Sequence, residues 1–212
     1  MNKILSIIIP TYNAAQFLDK GLSTFIMEDK EMMDKLEVLI VNDGTKDNSV
    51  EVAQKFVDRY PNTFKIINKE NGGHGSAINT GVENVTGKYF KCVDADDWVY
   101  TDALERTMKI LEKEDFDVLI QSFITYDISK DLWEPRDIHC DNTGHIYNLK
   151  EIVDMWEQID YGMSFHGVTY NAQFYKSLGY KLIEGVFYED QEYATIPLSY
   201  AKRIRLLDDE LY

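Results

Sequence analysis

The chain contains 212 residues, of which 44% are hydrophobic and 28% are charged, a composition typical of a globular protein and not of a disordered or fibrous one. Asp and Glu together number 37 against 22 Lys and Arg, so the formal net charge is −15. This charge argues against nucleic acid and anionic membranes as partners. A nucleotide diphosphate could bind only where a divalent cation or backbone dipoles offset the charge.

The sequence shows neither a signal peptide nor a membrane span. Its first apolar run is cut off by Pro10 and Thr11 and has no small-residue cleavage site, so it does not resemble a signal peptide. No segment approaches the roughly 20 apolar residues that a span requires. The two cysteines, Cys92 and Cys140, lack the spacing of a zinc site. We therefore expect a reduced, cytoplasmic protein without an integral membrane segment.

Short apolar runs alternate with longer amphipathic segments over residues 1–122, as in repeated βαβ units. The predicted strands are 5–9, 36–42, 64–68, 88–93 and 117–122. The predicted helices are 17–26, 48–60, 75–85 and 101–113, and Asn48 with Glu51 resembles a capping box at the start of the second. Because the strands are continuously apolar, they predict an α/β fold with a Rossmann-like, mostly parallel central sheet flanked by helices.

The alternation ends after residue 122. A polar segment with aromatic residues at 125–148 predicts an insertion that carries a hairpin. We expect a helix at 149–158, a strand at 168–170 and a helix at 188–201 that bends or breaks near Pro197. The length predicts one domain over residues 1–212, with a first half of residues 1–122 and a smaller second half of residues 123–212.

Polar residues follow the predicted strands directly, where open α/β sheets bind their ligands. Pro10, Tyr12 and Asn13 follow the first strand, and Asp43 follows the second. The two strand ends together offer a stacking surface and a hydrogen-bond acceptor for a nucleobase. Turns are rich in such residues for conformational reasons alone, so turn formation is the alternative for each segment.

Asn71, Gly72 and Gly73 begin a glycine-rich loop that leads into the next predicted helix. Glycines let the backbone approach a ligand closely, and N–H groups at the start of a helix suit an anion. The loop is neither a GxGxxG fingerprint nor a Walker loop, since it lacks the spacing and the lysine. It predicts a nucleotide contact or, alternatively, a structural turn.

Asp94, Asp96 and Asp97 form an acidic cluster after the fourth predicted strand. In an extended chain residues i and i+2 point to the same side, so we expect Asp94 and Asp96 to converge while Asp97 points away. Adjacent carboxylates repel one another unless a cation compensates them. Oxygen ligands suit Mg²⁺ or Mn²⁺ that is shared with substrate phosphates. A solvated acidic turn is the alternative.

These segments together resemble glycosyltransferase family 2 over essentially the whole chain. The matching motifs are IIIPTYN, VNDGT, ENGGHGSAINTG, TGKYFKCVDADDW and FYEDQEYA. The resemblance implies a GT-A fold with a nucleotide-sugar-binding half, residues 1–122, and an acceptor-side half, residues 123–212. It implies an inverting, metal-dependent hexosyl- or N-acetylhexosaminyltransferase of cell wall or capsule polysaccharide synthesis, with Mg²⁺ or Mn²⁺ as cofactor. The donor would be a UDP-sugar.

The resemblance also implies the acceptor and the place of action. The acceptor would be a hydroxyl group of a glycan, a polysaccharide or a lipid-linked chain, and nucleic acid would not be a partner. A lipid-linked acceptor would bring the protein to the inner face of the membrane as a peripheral protein. Aromatic residues such as Trp133 and Trp156 could line an acceptor groove, since sugars stack on aromatic faces, but most are expected in the core.

Each matching residue takes a role from the resemblance. The residues expected to bind the nucleotide are Pro10, Tyr12, Asn13, Asp43, Asn71, Gly72, Gly73 and Asp94. Asp94 and Asp96 would form the DxD pair, with Asp96 as the more direct metal ligand. Asp190 would be the catalytic base that takes the proton of the acceptor hydroxyl, with Glu189 as a supporting residue. An acidic first turn that the helix dipole favours is the alternative for this last pair.

The sequence departs from the family pattern in one motif. Ala77-Ile78-Asn79 stands where many members have ARN, so a metal, the backbone or another cation must compensate the diphosphate. Family members often continue beyond the segment that ends this chain, which suggests a C-terminally truncated catalytic domain. Two further functions stay open, a non-catalytic nucleotide-sugar-binding module and a nucleotidyltransferase-like enzyme. The latter usually has a basic, glycine-rich loop after the first strand, which this chain lacks.

Overall fold

The computed structural model of the protein describes residues 2–127, 129–140, 144–159 and 162–212. Its strands are β1 (Leu5–Thr11), β2 (Leu36–Asp43), β3 (Phe64–Lys69), β4 (Tyr89–Cys92), β5 (Val118–Gln121), β6 (Phe123–Asp127), β7 (Leu132–Arg136), β8 (Ile146–Tyr147), β9 (Val168–Asn171) and β10 (Ile204–Leu207). Its helices are α1 (Ala15–Ser23), α2 (Lys30–Lys35), α3 (Ser49–Arg59), α4 (His74–Asn84), α5 (Thr101–Lys113), α6 (Leu149–Asp154), α7 (Trp156–Ile159), α8 (Ala172–Ser177) and α9 (Glu189–Thr195).

Eight of these strands form one sheet in the order β3-β2-β1-β4-β9-β5-β10-β8. β1 pairs in parallel with β2 and β4, β2 with β3, and β10 with β5. β9, which lies between β4 and β5, and the edge strand β8 run antiparallel to their neighbours. The sheet is therefore mostly parallel, as the sequence predicts. Strand order reverses at β1, which directs a ligand to the carboxyl ends of β1 and β4.

Hydrophobic cores lie on both faces of the sheet, which explains the continuously apolar strands. Ile7 and Ile9 of β1 belong to the core on one face, whereas Ile8 belongs to the core on the other. Gly81 allows α4 to approach this second face closely, because a Cβ at this position would lie 2.4 Å from Cγ2 of Ile8. All of β1 is buried, so the turn that follows it has a rigid base.

The strands and helices predicted in residues 1–122 are present, with ends that shift by a few residues. The sequence pattern does not predict the short helices α2 and α8, each of which has six residues. The capping box expected at Asn48 is wrong, because the Asn48 side chain makes no capping hydrogen bond. Instead, Oδ1 of Asp47 accepts from the N–H of Ser49 at 3.0 Å.

The second half of the chain contributes to the same sheet as the first. The predicted hairpin is formed by β6 and β7, which pair antiparallel. The helix predicted near Pro197 ends at Thr195, and a 3-10 turn at Leu198–Tyr200 follows the proline. β9 pairs with both β4 and β5, and β10 pairs with β5. The division of the domain at residue 122 stays a prediction.

A buried carboxylate fastens the amino-terminal ends of the strands, opposite the predicted site. Glu37 at the start of β2 is 0% exposed and accepts hydrogen bonds from Ser6 Oγ at 2.6 Å, Lys65 Nζ at 2.8 Å and the backbone N–H of Thr86 at 2.9 Å. Burial alone would raise the pKa of Glu37, but these hydrogen bonds outweigh it and lower the pKa. Glu37 thus joins β1, β2, β3 and the segment that enters β4.

Replacing this carboxylate should weaken the whole sheet. We expect Glu37→Gln to lower the free energy of unfolding by about 1.5–3 kcal/mol at neutral pH, because hydrogen bonds to a buried charge are lost. Urea denaturation measures the change. Glu31→Gln is the matched control, since the Glu31 side chain is 72% exposed, and it should leave stability nearly unchanged.

The effect of Glu37→Gln on stability should also depend on pH. Because the folded pKa of Glu37 lies below the ordinary value of 4.5 for a glutamate, the contribution of Glu37 to stability is present above about pH 4.5 and is lost as the pH falls through the folded pKa. The difference between wild type and Glu37→Gln should therefore shrink in acid. An equal decrease in the free energy of unfolding in the Glu37→Gln and Glu31→Gln variants would contradict the stabilising role of Glu37.

Candidate active site

A cleft of about 770 Å³ opens at the carboxyl ends of β1, β2 and β4, beside the start of α4. The residues predicted to bind nucleotide or metal that line it are Pro10, Tyr12, Asn13, Asp43, Asn71, Gly73, Asp94 and Asp96. Of the other predicted residues, Gly72 contacts Asp43, and Glu189 reaches the cleft through His74. Asp190 lies beside Glu189 in the first turn of α9. The fold thus gathers residues from distant segments at the point where strand order reverses.

The turn after β1 presents Tyr12 to the cleft. Tyr12 is 47% exposed, so its ring is accessible to a ligand. Asn13 has a left-handed backbone, with φ 51°, and its Oδ1 accepts from the N–H of Lys46 at 2.9 Å and from the hydroxyl of Thr45 at 3.1 Å. These bonds tie the turn after β1 to the turn after β2 and so fix the position of Tyr12.

Asp43 at the end of β2 holds the glycine-rich loop. Its carboxylate is 3% exposed and accepts from the N–H groups of Gly72 at 2.9 Å and Gly73 at 2.8 Å and from Lys69 Nζ at 2.6 Å. Gly73 has φ +88°, a conformation that favours glycine. The N–H groups of Gly72 and Gly73 are therefore not free to bind an anion, and the nucleotide contact expected for this loop stays a prediction. Lys69 is a cation that the sequence reading missed.

The acidic cluster forms a turn and not an extended segment. β4 ends at Cys92, and the N–H of Asp97 donates to the carbonyl of Asp94 at 3.1 Å. The expectation that Asp97 points away is therefore wrong, since strand alternation no longer applies. Oxygens of Asp94 and Asp97 and a ring nitrogen of His166 all lie within 4.8 Å of one another. Asp96 is exposed at the cleft.

The surroundings of this acidic turn suit a divalent cation. Burial, together with the smaller effect of the charges on Asp94 and Asp96, raises the pKa of Asp97 to about 6, although the hydrogen bond from Tyr212 acts in the opposite direction. Burial lowers the pKa of His166, which favours the neutral, ligating form. Within the part of the chain that the structure describes, Nδ1 of His166 is buried and has no hydrogen-bond partner. Carboxylate and imidazole ligands of this kind fit Mn²⁺ or a similar ion.

Hydrogen bonds from Tyr212 and Lys91 hold the acidic turn and the neighbouring segment that carries His166. The Tyr212 hydroxyl donates to Oδ2 of Asp97 at 2.6 Å and accepts from the N–H of Asp94 at 3.1 Å. Lys91 is 1% exposed, and its ammonium donates to the carbonyls of His166 and Val168. Burial lowers the pKa of Lys91 to about 7. Lys91 thereby fixes the segment that carries His166, a role that its place in an apolar strand concealed.

His74 links the two acidic motifs. Its Nε2 lies 3.0 Å from Oδ1 of Asp94, and its Nδ1 lies 2.9 Å from Oε1 of Glu189. Burial would lower the pKa of His74, but the hydrogen bonds and charges of Asp94 and Glu189 outweigh it and raise the pKa. Both partners are acceptors when ionised, so only the doubly protonated imidazolium satisfies both. The bridge holds the first turn of α9 against the acidic turn.

The sequence is similar to known transferases. The family model for glycosyl transferase family 2 matches residues 6–179. YibD of Escherichia coli K12, an uncharacterized glycosyltransferase, is 40% identical over 114 residues, which cover 54% of this chain and 32% of YibD. EpsJ of Bacillus subtilis, another uncharacterized glycosyltransferase, is 24% identical over 223 residues, which cover 100% of this chain and 61% of EpsJ. The chain therefore spans less than two thirds of the length of either relative.

Solved structures share the fold. TarS of S. aureus in complex with UDP-GlcNAc superposes with a TM-score of 0.74 at 19% identity, covering 99% of this chain and 57% of that one. The mannosyltransferase PcManGT of Pyrobaculum calidifontis, in complex with GDP-Man and Mn²⁺, superposes with a TM-score of 0.65 at 18% identity, covering 97% of this chain and 55% of that one. These likenesses confirm the predicted GT-A fold.

The His74 bridge predicts a pH-dependent contribution to stability. Because the folded pKa of His74 lies above the ordinary value of 6.5 for a histidine, the contribution is fully present below about pH 6.5 and is lost as the pH rises through the folded pKa. The stability difference between wild type and His74→Gln should therefore decrease from weakly acidic to alkaline pH in urea denaturation. His139→Gln, at an exposed position, should show no such trend. A difference for His74→Gln that stays constant with pH would refute the charged bridge.

Proposed function

Because this chain belongs to glycosyltransferase family 2, we propose that it transfers a sugar from a nucleotide-diphospho-sugar, with UDP as the expected nucleotide, to a hydroxyl group of a glycan, polysaccharide or lipid-linked acceptor. The observation that carries this proposal is the single cleft in which Tyr12, Asp43, Asp94 and Asp96 meet. The complexes of TarS with UDP-GlcNAc and of PcManGT with GDP-Man support a nucleotide-sugar donor on this fold.

The nucleotide would bind at the ends of β1 and β2. The exposed Tyr12 ring offers a stacking face for the base. Asp43 uses three acceptor positions for Gly72, Gly73 and Lys69, and a carboxylate offers about four. One position is left for a ring N–H of the base, as in uracil. Asn71 lines the same cleft, and its amide is oriented by the carbonyl of Asp43 at 2.8 Å.

The acidic turn would hold Mg²⁺ or Mn²⁺. Asp94, Asp97 and His166 have the spacing of a ligand set, and Asp96, predicted as the most direct ligand, lies at the cleft beside them. When bound, the ion supplies a positive charge that stabilises the leaving diphosphate. Such a cation would also provide the compensation that the missing arginine of the ARN motif would otherwise give. The Mn²⁺ complex of PcManGT supports a divalent ion at this fold.

Asp190 is the proposed base. It would take the proton of the acceptor hydroxyl as the oxygen attacks the anomeric carbon from the face opposite the diphosphate, and this geometry inverts the anomeric configuration. Burial lowers the pKa of His166, and the charge of Asp190 is among the smaller effects that raise it. Glu189, which is 8% exposed, would position this turn of α9 through its hydrogen bond to His74.

The cellular site of action also belongs to the proposal. Among the described residues, no helix is long and apolar enough to span a bilayer. We place the reaction in the cytoplasm, as the sequence predicts, and expect contact with the inner face of the membrane where the acceptor is lipid-linked.

The role of Asp190 predicts a loss of turnover without a loss of binding. With Mn²⁺, a set of UDP-sugars and the oligosaccharides cellotetraose and chitotetraose as acceptors, wild type should release UDP as the sugar passes to an acceptor hydroxyl. Asp190→Asn should lower kcat about 10²–10⁴-fold because a general base is removed. The Kd for UDP, measured by calorimetry, should change little. Asp19→Asn removes one exposed carboxylate outside the cleft and should preserve both values.

Two outcomes would contradict this account. Equal turnover in wild type and Asp190→Asn would exclude Asp190 as the base. UDP binding by wild type without turnover of any UDP-sugar would favour a non-catalytic nucleotide-sugar-binding module.

A further inference from the structure

A second groove, of about 500 Å³, adjoins the nucleotide cleft. We name it the aromatic groove. It lies between α1 and the β6–β7 hairpin and shares Phe17 and Asp96 with the cleft. Its volume falls within the range of small-molecule sites, roughly 300–1,000 Å³. The nucleotide, the cation and the base proposed above leave the part of this groove that faces the hairpin without a ligand.

Strand pairing builds the aromatic wall of the groove. Tyr126 of β6 lies directly opposite Trp133 of β7, so both side chains stand on one face of the hairpin. Their rings stack with centroids 4.4 Å apart and an interplanar angle of 29°. Trp98 contacts Trp133 edge-on, with centroids 6.2 Å apart. Trp133 nevertheless stays 50% exposed, and exposed aromatic clusters with polar rims mark interaction sites.

The polar groups of the groove restrict the class of ligand that it can bind. Asp96 and Asp97 line it and would repel an anionic bilayer or a nucleic acid. Lys20 places its ammonium 3.1 Å from the centroid of the Trp98 ring. These groups donate or accept hydrogen bonds beside an apolar surface. A neutral ligand with one apolar face and several hydroxyl groups matches this arrangement.

We propose that the aromatic groove binds a hexopyranose unit of the acceptor saccharide, with its C–H face on Trp133 and its hydroxyl groups directed to Lys20 and the acidic turn. This inference rests on the proposed transferase function and assigns part of its acceptor site. Pyranoses of gluco or galacto configuration have axial C–H bonds that form an apolar patch on one face. Aromatic faces carry partial negative charge, so they attract such C–H groups.

The groove also leads to the proposed reaction centre. His166 and Asp97 line it, and both belong to the candidate cation site. Asp96 separates the groove from the nucleotide cleft and lines both. A saccharide that stacks on Trp133 therefore extends toward the place where the donor diphosphate would bind.

The test uses three neutral probes: cellotetraose, chitotetraose and β-1,4-galactotetraose. Saturation-transfer NMR with irradiation of the protein's aromatic resonances should detect the pyranose protons of at least one probe in wild type. Trp133→Leu, which keeps apolar bulk but removes the ring, should weaken that binding about tenfold. Trp133→Phe keeps an aromatic face and should retain most of it. Trp156→Leu is the matched control, because Trp156 is 52% exposed outside the groove.

Three results would overturn the proposal: no binding of any probe to wild type, equal binding by wild type and Trp133→Leu, or equal losses in the Trp133 and Trp156 variants. Light scattering that shows self-association of wild type, lost in Trp133→Leu, would assign the groove to contact between two copies and also refute it. Titration of UDP in the presence of Mn²⁺ distinguishes a failure of the groove proposal from a failure of the proposed transferase function. UDP binding without saccharide binding refutes the groove alone, whereas saccharide binding without UDP binding refutes the UDP-dependent transfer proposed above.

Discussion

Electrostatic repulsion within the acidic turn is the constraint on which the rest of the site depends. Asp94, Asp96 and Asp97 lie within four residues of one another in a chain with a net charge of −15, and Glu189 is brought close to Asp94 by His74. Such a cluster is unstable unless donors and cations surround it. Tyr212 donates to Asp97, and the imidazolium of His74 lies between two carboxylates. The remaining negative charge suits the divalent cation that we propose for this turn.

Two buried carboxylates keep this turn in place from different sides. Glu37 fastens the amino-terminal ends of the strands, whereas Asp43 fastens the glycine-rich loop at their carboxyl ends. Each accepts from partners that lie far away in the sequence. The sheet thereby fixes β1 and β4 side by side, so the residues after them need little adjustment to receive a nucleotide. Preorganised groups of this kind lower the cost of binding charge.

The sequence predicted the fold and the strand-end residues because both depend on local patterns. Continuous apolar runs indicated a parallel sheet, and the positions of Tyr12, Asp43 and Asp94 followed from it. The partners of these residues could not be predicted, because His166 and Tyr212 reach the acidic turn only through tertiary folding. Strand alternation gives the wrong direction for Asp97, because the strand ends at Cys92 and the chain turns after it. The role of Lys91 could not be predicted, because a charged residue in an apolar strand gives no local sign of the distant backbone carbonyls to which it donates.

The central claim is that the acidic turn binds a nucleotide diphosphate through a divalent cation. Its most direct test is calorimetric titration of UDP into the protein with Mn²⁺, with EDTA, and with Mn²⁺ in the Asp94→Asn variant. The account predicts micromolar binding with Mn²⁺ that disappears both with EDTA and in the variant. UDP binding of equal strength in all three titrations would contradict it, because the nucleotide would then bind without the cation and without the acidic turn.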